Sequence, residues 1–340
     1  MSLLEIRSLG HRYPSSRAKR PVLNGVDMTI EEDSITAVVG ESGCGKTTLG
    51  RVVAGLIEPT TGQVLFDGQN VWEMPKQQRA QYRRAVQVVH QDPFSSLNPG
   101  LRAGDSLSAG LLYHKLASRR TVKTRMLELL SSVGLDANEE LLERFPHQLS
   151  GGQRQRLIIA RAMSLQPRLV VADEPVSMLD VSLRVAVLDL LLAMRRQHHL
   201  AYVFVSHDFG VVRYFAAGGR ILVMFFGVVV EEGATDDVID HPRHPYTYLL
   251  REAIPVPDPR VARARRETPP AERLQAAPAS RGCVFANRCP FASDECHDAR
   301  PPAVEVGDNH RVRCFFPERV PQVSTVLQDR AAKVSVDHAD

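Results

Sequence analysis

The chain has 340 residues, 44% of them hydrophobic and 24% charged, with a formal net charge of +3. That length suggests about two domains and can bury a core without disulfide staples. The composition argues against general disorder, and the charge is too small to imply nucleic acid by itself. The longest apolar run, from Ile221 to Val230, is well short of a membrane span. No basic segment followed by an apolar one opens the sequence. The expectation is a soluble, cytoplasmic protein.

In chain order, Ser34-Ile-Thr-Ala-Val-Val39 is a short β-rich run that ends in a glycine-rich turn. The turn reads Gly40, Glu41, Ser42, Gly43, Cys44, Gly45, Lys46, Thr47, with Thr48 following, and a helical segment comes next. This is the G-x-x-x-x-G-K-[ST] spacing of a phosphate loop. Glycines let backbone N–H groups turn inward around phosphate oxygens, and the helix N-terminus adds its partial positive charge. Lys46 is expected at the β- and γ-phosphates and the Thr47 hydroxyl on Mg²⁺.

From about 92 to 166 the strand signal disappears. Val122, Met126, Leu129, Leu130 and Val133 share one helical face, which predicts a helical insertion. Leu149-Ser150-Gly151-Gly152-Gln153 then opens a further helix. Ser150 and the glycine amides there form a second candidate anion site. Leu169-Val-Val-Ala172 is a buried strand ending in Asp173 and Glu174. Asp173 suits the orientation of Mg²⁺, and Glu174 the polarisation of an attacking water. Val181 to Gln197 carries Val181, Val185, Leu188 and Leu192 at helical spacing, and Tyr202-Val-Phe-Val205 is another strand. Strand, helix, strand in this rhythm implies an α/β fold with a parallel sheet.

Between about 254 and 281 the composition shifts to Pro, Ala and Arg, which reads as a linker. Four of the five cysteines follow it: Cys283, Cys289, Cys296 and Cys314. In a reducing compartment such a cluster reads more readily as a metal site than as disulfides. Its spacing is neither the close C-x2-C knuckle of structural zinc nor a ferredoxin run. Lying far in sequence from every phosphate motif, it is not expected to be strictly required for hydrolysis.

Taken in order, the motifs resemble those of ABC-type ATPases. The Leu149–Gln153 run is similar to their signature, Gln91 to the Q-loop glutamine, Ser177-Met-Leu179-Asp180 to the D-loop and His207 to the switch histidine. Tyr13 is similar to the aromatic residue that stacks on adenine. Val176 and Met178 depart from the more usual Thr and Ala. The resemblance implies a phosphate-loop NTPase cassette with a RecA-like core, an N-terminal antiparallel β portion and a helical subdomain. It also implies ATP and Mg²⁺ as ligands, and two cassettes packed head to tail, so that Ser150 of one closes the ATP site of the other.

Asp92-Pro-Phe-Ser-Ser-Leu-Asn-Pro99, Arg243-His-Pro-Tyr-Thr-Tyr-Leu-Leu250 and Gly282-Cys-Val-Phe-Ala-Asn-Arg-Cys-Pro290 narrow the resemblance to importers of dipeptides and oligopeptides. Nickel and glutathione importers share these features. The implied organisation is a nucleotide-binding domain over 1–250 with its helical part at 92–166, a linker over 251–281, a small Cys-rich extension over 282–318 and a tail over 319–340. The implied partners are two integral-membrane permeases, a second ATPase subunit (a relative or a second copy) and an extracytoplasmic substrate-binding protein. The chain would sit at the cytoplasmic face of the membrane. Tails of this kind resemble a four-cysteine [4Fe–4S] site. Zinc, with His297 or His310 replacing a thiolate, and unliganded thiols are the alternatives. A non-transport ABC ATPase acting on nucleic acid is the rival class, disfavoured by the single cassette and the absence of basic arms.

Overall fold

The computed structural model describes residues 2–14, 20–253, 279 and 281–321. The expected linker and tail lie outside the described residues, apart from 251–253, 279, 281 and 319–321. The described strands are β1 (Ser2–His11), β2 (Leu23–Glu31), β3 (Ile35–Val39), β4 (Thr61–Phe66), β5 (Gln69–Asn70), β6 (Val86–Val89), β7 (Leu169–Asp173), β8 (Ala201–Ser206), β9 (Arg220–Phe225), β10 (Val228–Ala234), β11 (Val304–Gly307) and β12 (His310–Val312). Two compact units share them, interleaved along the chain.

The first unit takes residues 1–9, 28–35 and 47–205. Its parallel strands β6, β7 and β8 pair in register, Val86 with Leu169 and Leu169 with Ala201. Every residue of β7 and β8 is buried. A parallel strand covered on both faces must be apolar throughout, which is why these runs carry no alternation. An antiparallel pair, β4 and β5, belongs to a second sheet of order β2-β1-β4-β5.

Between β6 and β7 the described residues are helical: Pro93–Ser96, Ala103–Tyr113, Val122–Ser132, Glu139–Glu143 and Gly151–Met163. Met126, Leu129, Leu130 and Val133 are buried, following the spacing. Arginines of the last helix tie neighbouring segments down by donating to backbone carbonyls, two of them at helix ends. Arg161 reaches Ser96 O at 2.7 Å and Arg156 reaches Val133 O at 2.5 Å. Arg154 reaches Pro146 O at 2.5 Å.

The helix Val181–His198 buries Val187, Leu188, Leu191 and Met194. Val181 is 75% exposed and Val185 is exposed as well. The buried stripe begins two turns into the helix, so the apolar residues of its first turns mislead a periodicity argument.

The second unit takes residues 10–27, 36–46 and 206–340. Here β3 pairs with β9 in parallel, Thr36 opposite Arg220, and β9 turns back antiparallel into β10. Phe226 and Gly227 both have positive φ, the backbone of a tight hairpin whose twist matches the strands. A side chain at Gly227 would collide with the Val22 carbonyl. Strand β12 adds antiparallel to β10, Glu231 opposite Val312, and β11 closes the edge. The Glu231 carboxylate is buried, and three donors satisfy it: Arg243 N at 2.6 Å, His244 N at 3.0 Å and His310 Nε2 at 2.8 Å. A buried carboxylate needs such partners, and these bind the 304–312 hairpin to the sheet.

Candidate nucleotide site and cysteine cavity

Strand β3 ends at Val39 and the chain bends at Gly40. A Cβ there would strike the Met224 carbonyl and lie 2.8 Å from Cys44 Sγ, so only glycine fits. The loop returns to the sheet where Gly227 N donates to Cys44 O at 2.8 Å. Cys44 is buried, and burial raises its thiol pKa. It fills the loop's interior. Lys46 is buried and its ammonium donates to Gly40 O at 2.7 Å and Glu41 O at 3.0 Å. The helix Lys46–Val53 follows directly, with Thr48 buried. Ser42, Gly43 and Thr47 remain exposed.

In the first unit the Thr47 hydroxyl lies 3.3 Å from Asp173 Oδ1, at the end of β7. A hydroxyl and a carboxylate oxygen this close form a hard-oxygen pair of the kind Mg²⁺ takes. Glu174 comes next and has a left-handed backbone, φ 47°. Its N–H donates to Val205 O at 3.0 Å, and its Oε2 accepts from Gln91 Nε2 at 3.0 Å. The structure thus brings together two residues 83 positions apart. Burial lowers the pKa of neighbouring His90.

Ser150 caps the helix Gly151–Met163. Gln153 N donates to Ser150 Oγ at 3.2 Å, and Ser150 N donates to Gln153 Oε1 at 3.0 Å. This reciprocal cap leaves Ser150 and Gly151 exposed, while Gly152 is buried. Ser177 N donates to Glu174 O at 3.2 Å, so the 174–177 turn hangs on the carboxylate's own backbone. Met178 is 63% exposed, and Asp180 starts the next helix. His207 follows β8 and is exposed. Tyr13 stands edge-on to His11, ring centres 4.7 Å apart.

Cys283, Cys289, Cys296 and Cys314 line one cavity in the second unit, walled by Phe285, Phe291, Phe315 and Phe316. Burial pushes the thiols of Cys289 and Cys314 up to about 12 and about 11, and raises that of Cys283. Among the described residues no group of three or more His, Cys, Asp or Glu could hold a single metal ion. Neither histidine named for the zinc alternative is placed to replace a thiolate. His310 is taken by Glu231, His297 is exposed, and neither lines the cavity. His244 does line it. Its Nδ1 accepts from Tyr246 N at 3.0 Å, so its proton lies on Nε2, which is buried without a hydrogen-bond partner. Burial pushes its pKa down to about 3, keeping the ring neutral.

Sequence reasoning missed what surrounds Glu41. Arg288, from the turn between Cys283 and Cys289, donates two parallel bonds to Glu41, at 2.8 and 2.6 Å. Tyr246 Oη accepts from Glu41 N at 2.8 Å. The thiol segment, distant in sequence from the phosphate loop, touches it directly. The only signal was that Tyr246 and Arg288 fall inside two of the runs resembling peptide importers.

Comparison with known proteins agrees with this arrangement. Residues 23–177 match the ABC transporter family, and residues 230–296 match the family described as oligopeptide/dipeptide transporter, C-terminal region. The chain is similar to the di/tripeptide transport ATP-binding protein DppF of Pseudomonas aeruginosa, 40% identical, over 94% of this chain and 98% of that one. It is 40% identical to the oligopeptide transport ATP-binding protein OppF of Salmonella typhimurium, over 92% of this chain and 96% of that one. Among solved structures, the dimeric cassette MJ0796 bound to ADP and Pi aligns over 68% of this chain and 98% of its own, with a TM-score of 0.61 and 28% identity. CbiO1 of Clostridium perfringens aligns over 70% and 90%, with a TM-score of 0.61 and 26% identity. The chain therefore belongs to the ABC transporter ATP-binding proteins, in their oligopeptide/dipeptide branch.

Proposed function

We propose that this ABC ATPase energises import of di- or oligopeptides through separate membrane subunits. The carrying observation is that a phosphate loop and the peptide-transporter C-terminal region occur in one chain. No helix among the described residues is long and apolar enough to cross a membrane, and the proposed passage lies in other chains. Two permeases, a second cassette and an external binding protein are the proposed partners, with the chain peripheral at the cytoplasmic face.

The reaction is phosphoryl transfer from ATP to water. Lys46 moves from the Gly40 and Glu41 carbonyls to the phosphates, joined by amides of Ser42, Gly43, Cys44 and Gly45. Thr47, Asp173 and Gln91 would hold Mg²⁺, which supplies positive charge against the departing phosphate. Glu174 polarises the water, with Gln91 setting its carboxylate, and His207 contacts the γ-phosphate. Tyr13 stacks on adenine. Ser150, Gly151, Gly152 and Gln153 of one cassette, and the exposed Asp180, serve the site of another. Such charge stabilisation and positioning are the main terms in phosphoryl transfer.

For the thiol cavity we infer a [4Fe–4S] cluster held by Cys283, Cys289, Cys296 and Cys314. Four thiols line one pocket, which is the ligand number of such a cluster. The unpartnered His244 N–H is a donor that a cluster sulfur would accept. Bound there, the cluster would cross-link a segment with little regular structure.

Glu174→Gln should keep ATP binding and lose about 10²- to 10⁴-fold in turnover. Phosphate release within about threefold of wild type would remove Glu174 from the reaction. For the cargo, vesicles carrying the chain with its genomically adjacent permeases should accumulate a labelled dipeptide. Uptake of nickel or glutathione instead would reassign it.

A further inference from the structure

Glu41 is an anomaly in a loop meant for anions. A bare carboxylate beside the amides and lysine that take phosphate oxygens would oppose the nucleotide. Glu41 is not bare. Arg288 grips both of its oxygens, at 2.8 and 2.6 Å, and is only 7% exposed where Glu41 is 37% exposed. The guanidinium is itself held by aromatic faces, 5.1 Å from the ring centre of Phe225 and 5.8 Å from that of Phe285. Its Nε is buried without a hydrogen-bond partner, so within this contact its polar bonds are the two to Glu41. A planar fork fixes a carboxylate in orientation as well as in charge. The same residue, Glu41, carries the carbonyl that holds Lys46 and the N–H that meets Tyr246.

We propose that Arg288 is a positioning residue of the nucleotide site. It neutralises Glu41 and fixes the loop segment from which Lys46 is presented. The inference rests on the reading of 40–48 as the ATP site, and it gives the C-terminal cysteine segment a direct line to nucleotide affinity.

The test uses the purified full chain, with ATPase kinetics and binding of a fluorescent ATP analogue. Arg288→Gln should raise the KM for ATP about five- to tenfold while kcat changes less than about twofold. The effect should shrink as salt rises, because salt screens charge and not packing. The decisive measurement is the double variant Glu41→Gln/Arg288→Gln, which removes the repulsion together with the pair. Its KM should fall well below that of Arg288→Gln, because the repulsion is gone while only the fixing of the loop stays lost. If Arg288 were only structural, the double variant would be no better than the single, and that result overturns the proposal. So does an unchanged KM in Arg288→Gln. Should Arg288→Gln fail to fold, Glu41→Gln alone decides: a lowered KM is expected, and a raised one overturns the idea. Lys46→Ala separates the two claims. If it keeps full analogue binding, the reading of the site itself fails, whatever Arg288 does.

Discussion

The phosphate loop and the cysteine cavity are built by opposite means. The loop is backbone architecture: amides, carbonyls, a glycine with no room for a Cβ, and one buried lysine within seven consecutive residues. The cavity is side-chain architecture, drawn from residues spread between 244 and 316 and framed by short turns, a two-strand hairpin and aromatic walls. A backbone-built site is as rigid as the sheet that carries it. A side-chain-built site is as rigid as its packing, so Phe285, fully buried against Phe225 and Tyr246, carries for one what β3 carries for the other.

That contrast can be broken at either end. The largest effect on stability should come from the cavity side. Phe285→Ala removes a fully buried ring and should cost about 3–5 kcal/mol, read as a fall in urea midpoint. A loss under about 1 kcal/mol would mean the aromatic wall is not what holds the segment. Gly40→Ala should cost less stability, about 1–3 kcal/mol of overpacking against the Met224 carbonyl, yet abolish binding of an ATP analogue. Retained affinity would show that the bend at 40 can relax.

The smallest effect is on pH. Without metal, Cys289 and Cys314 ionise higher when folded, at about 12 and about 11, than the usual 9.0. The folded state then holds protons that the unfolded state gives up. Their contribution to stability is therefore full below pH 9 and declines as pH rises from 9 toward 12. Metal-free protein should melt progressively lower across that window and alkylate slowly at pH 8. Metal-loaded protein, its ligands already deprotonated, should lack that slope. Identical slopes with and without metal would mean that these thiols are not ligands.

Much of the loop's chemistry was legible because it is contiguous. Ser34–Val39 shows the short β-rich run of a strand, and Gly40–Thr48 follows it without a break. Asp173 and Glu174 could be read for the same reason. The Arg288–Glu41 pair could not, since 247 positions separate its members and an isolated arginine carries no period. The 304–312 hairpin escaped because its strands are three and four residues long, too short for an alternation to stand out. The helix from Val181 was legible, but its buried face was not, for a physical reason. Val181, Leu183 and Val185 are apolar yet exposed, and hydropathy cannot tell a face turned to solvent from one turned to the core.

Glu174 has a consequence for anyone who evolves or engineers this chain. Its left-handed backbone disfavours a side chain with a Cβ by roughly 1–2 kcal/mol, a strain that glycine escapes and asparagine tolerates better. Selection for heat tolerance alone would therefore drift toward Gly or Asn at 174, and on the role proposed above for Glu174 the sturdier protein would bind its ligand without turning it over. Persistence of glutamate under such selection would be a direct record that turnover, not durability, is what the position is kept for.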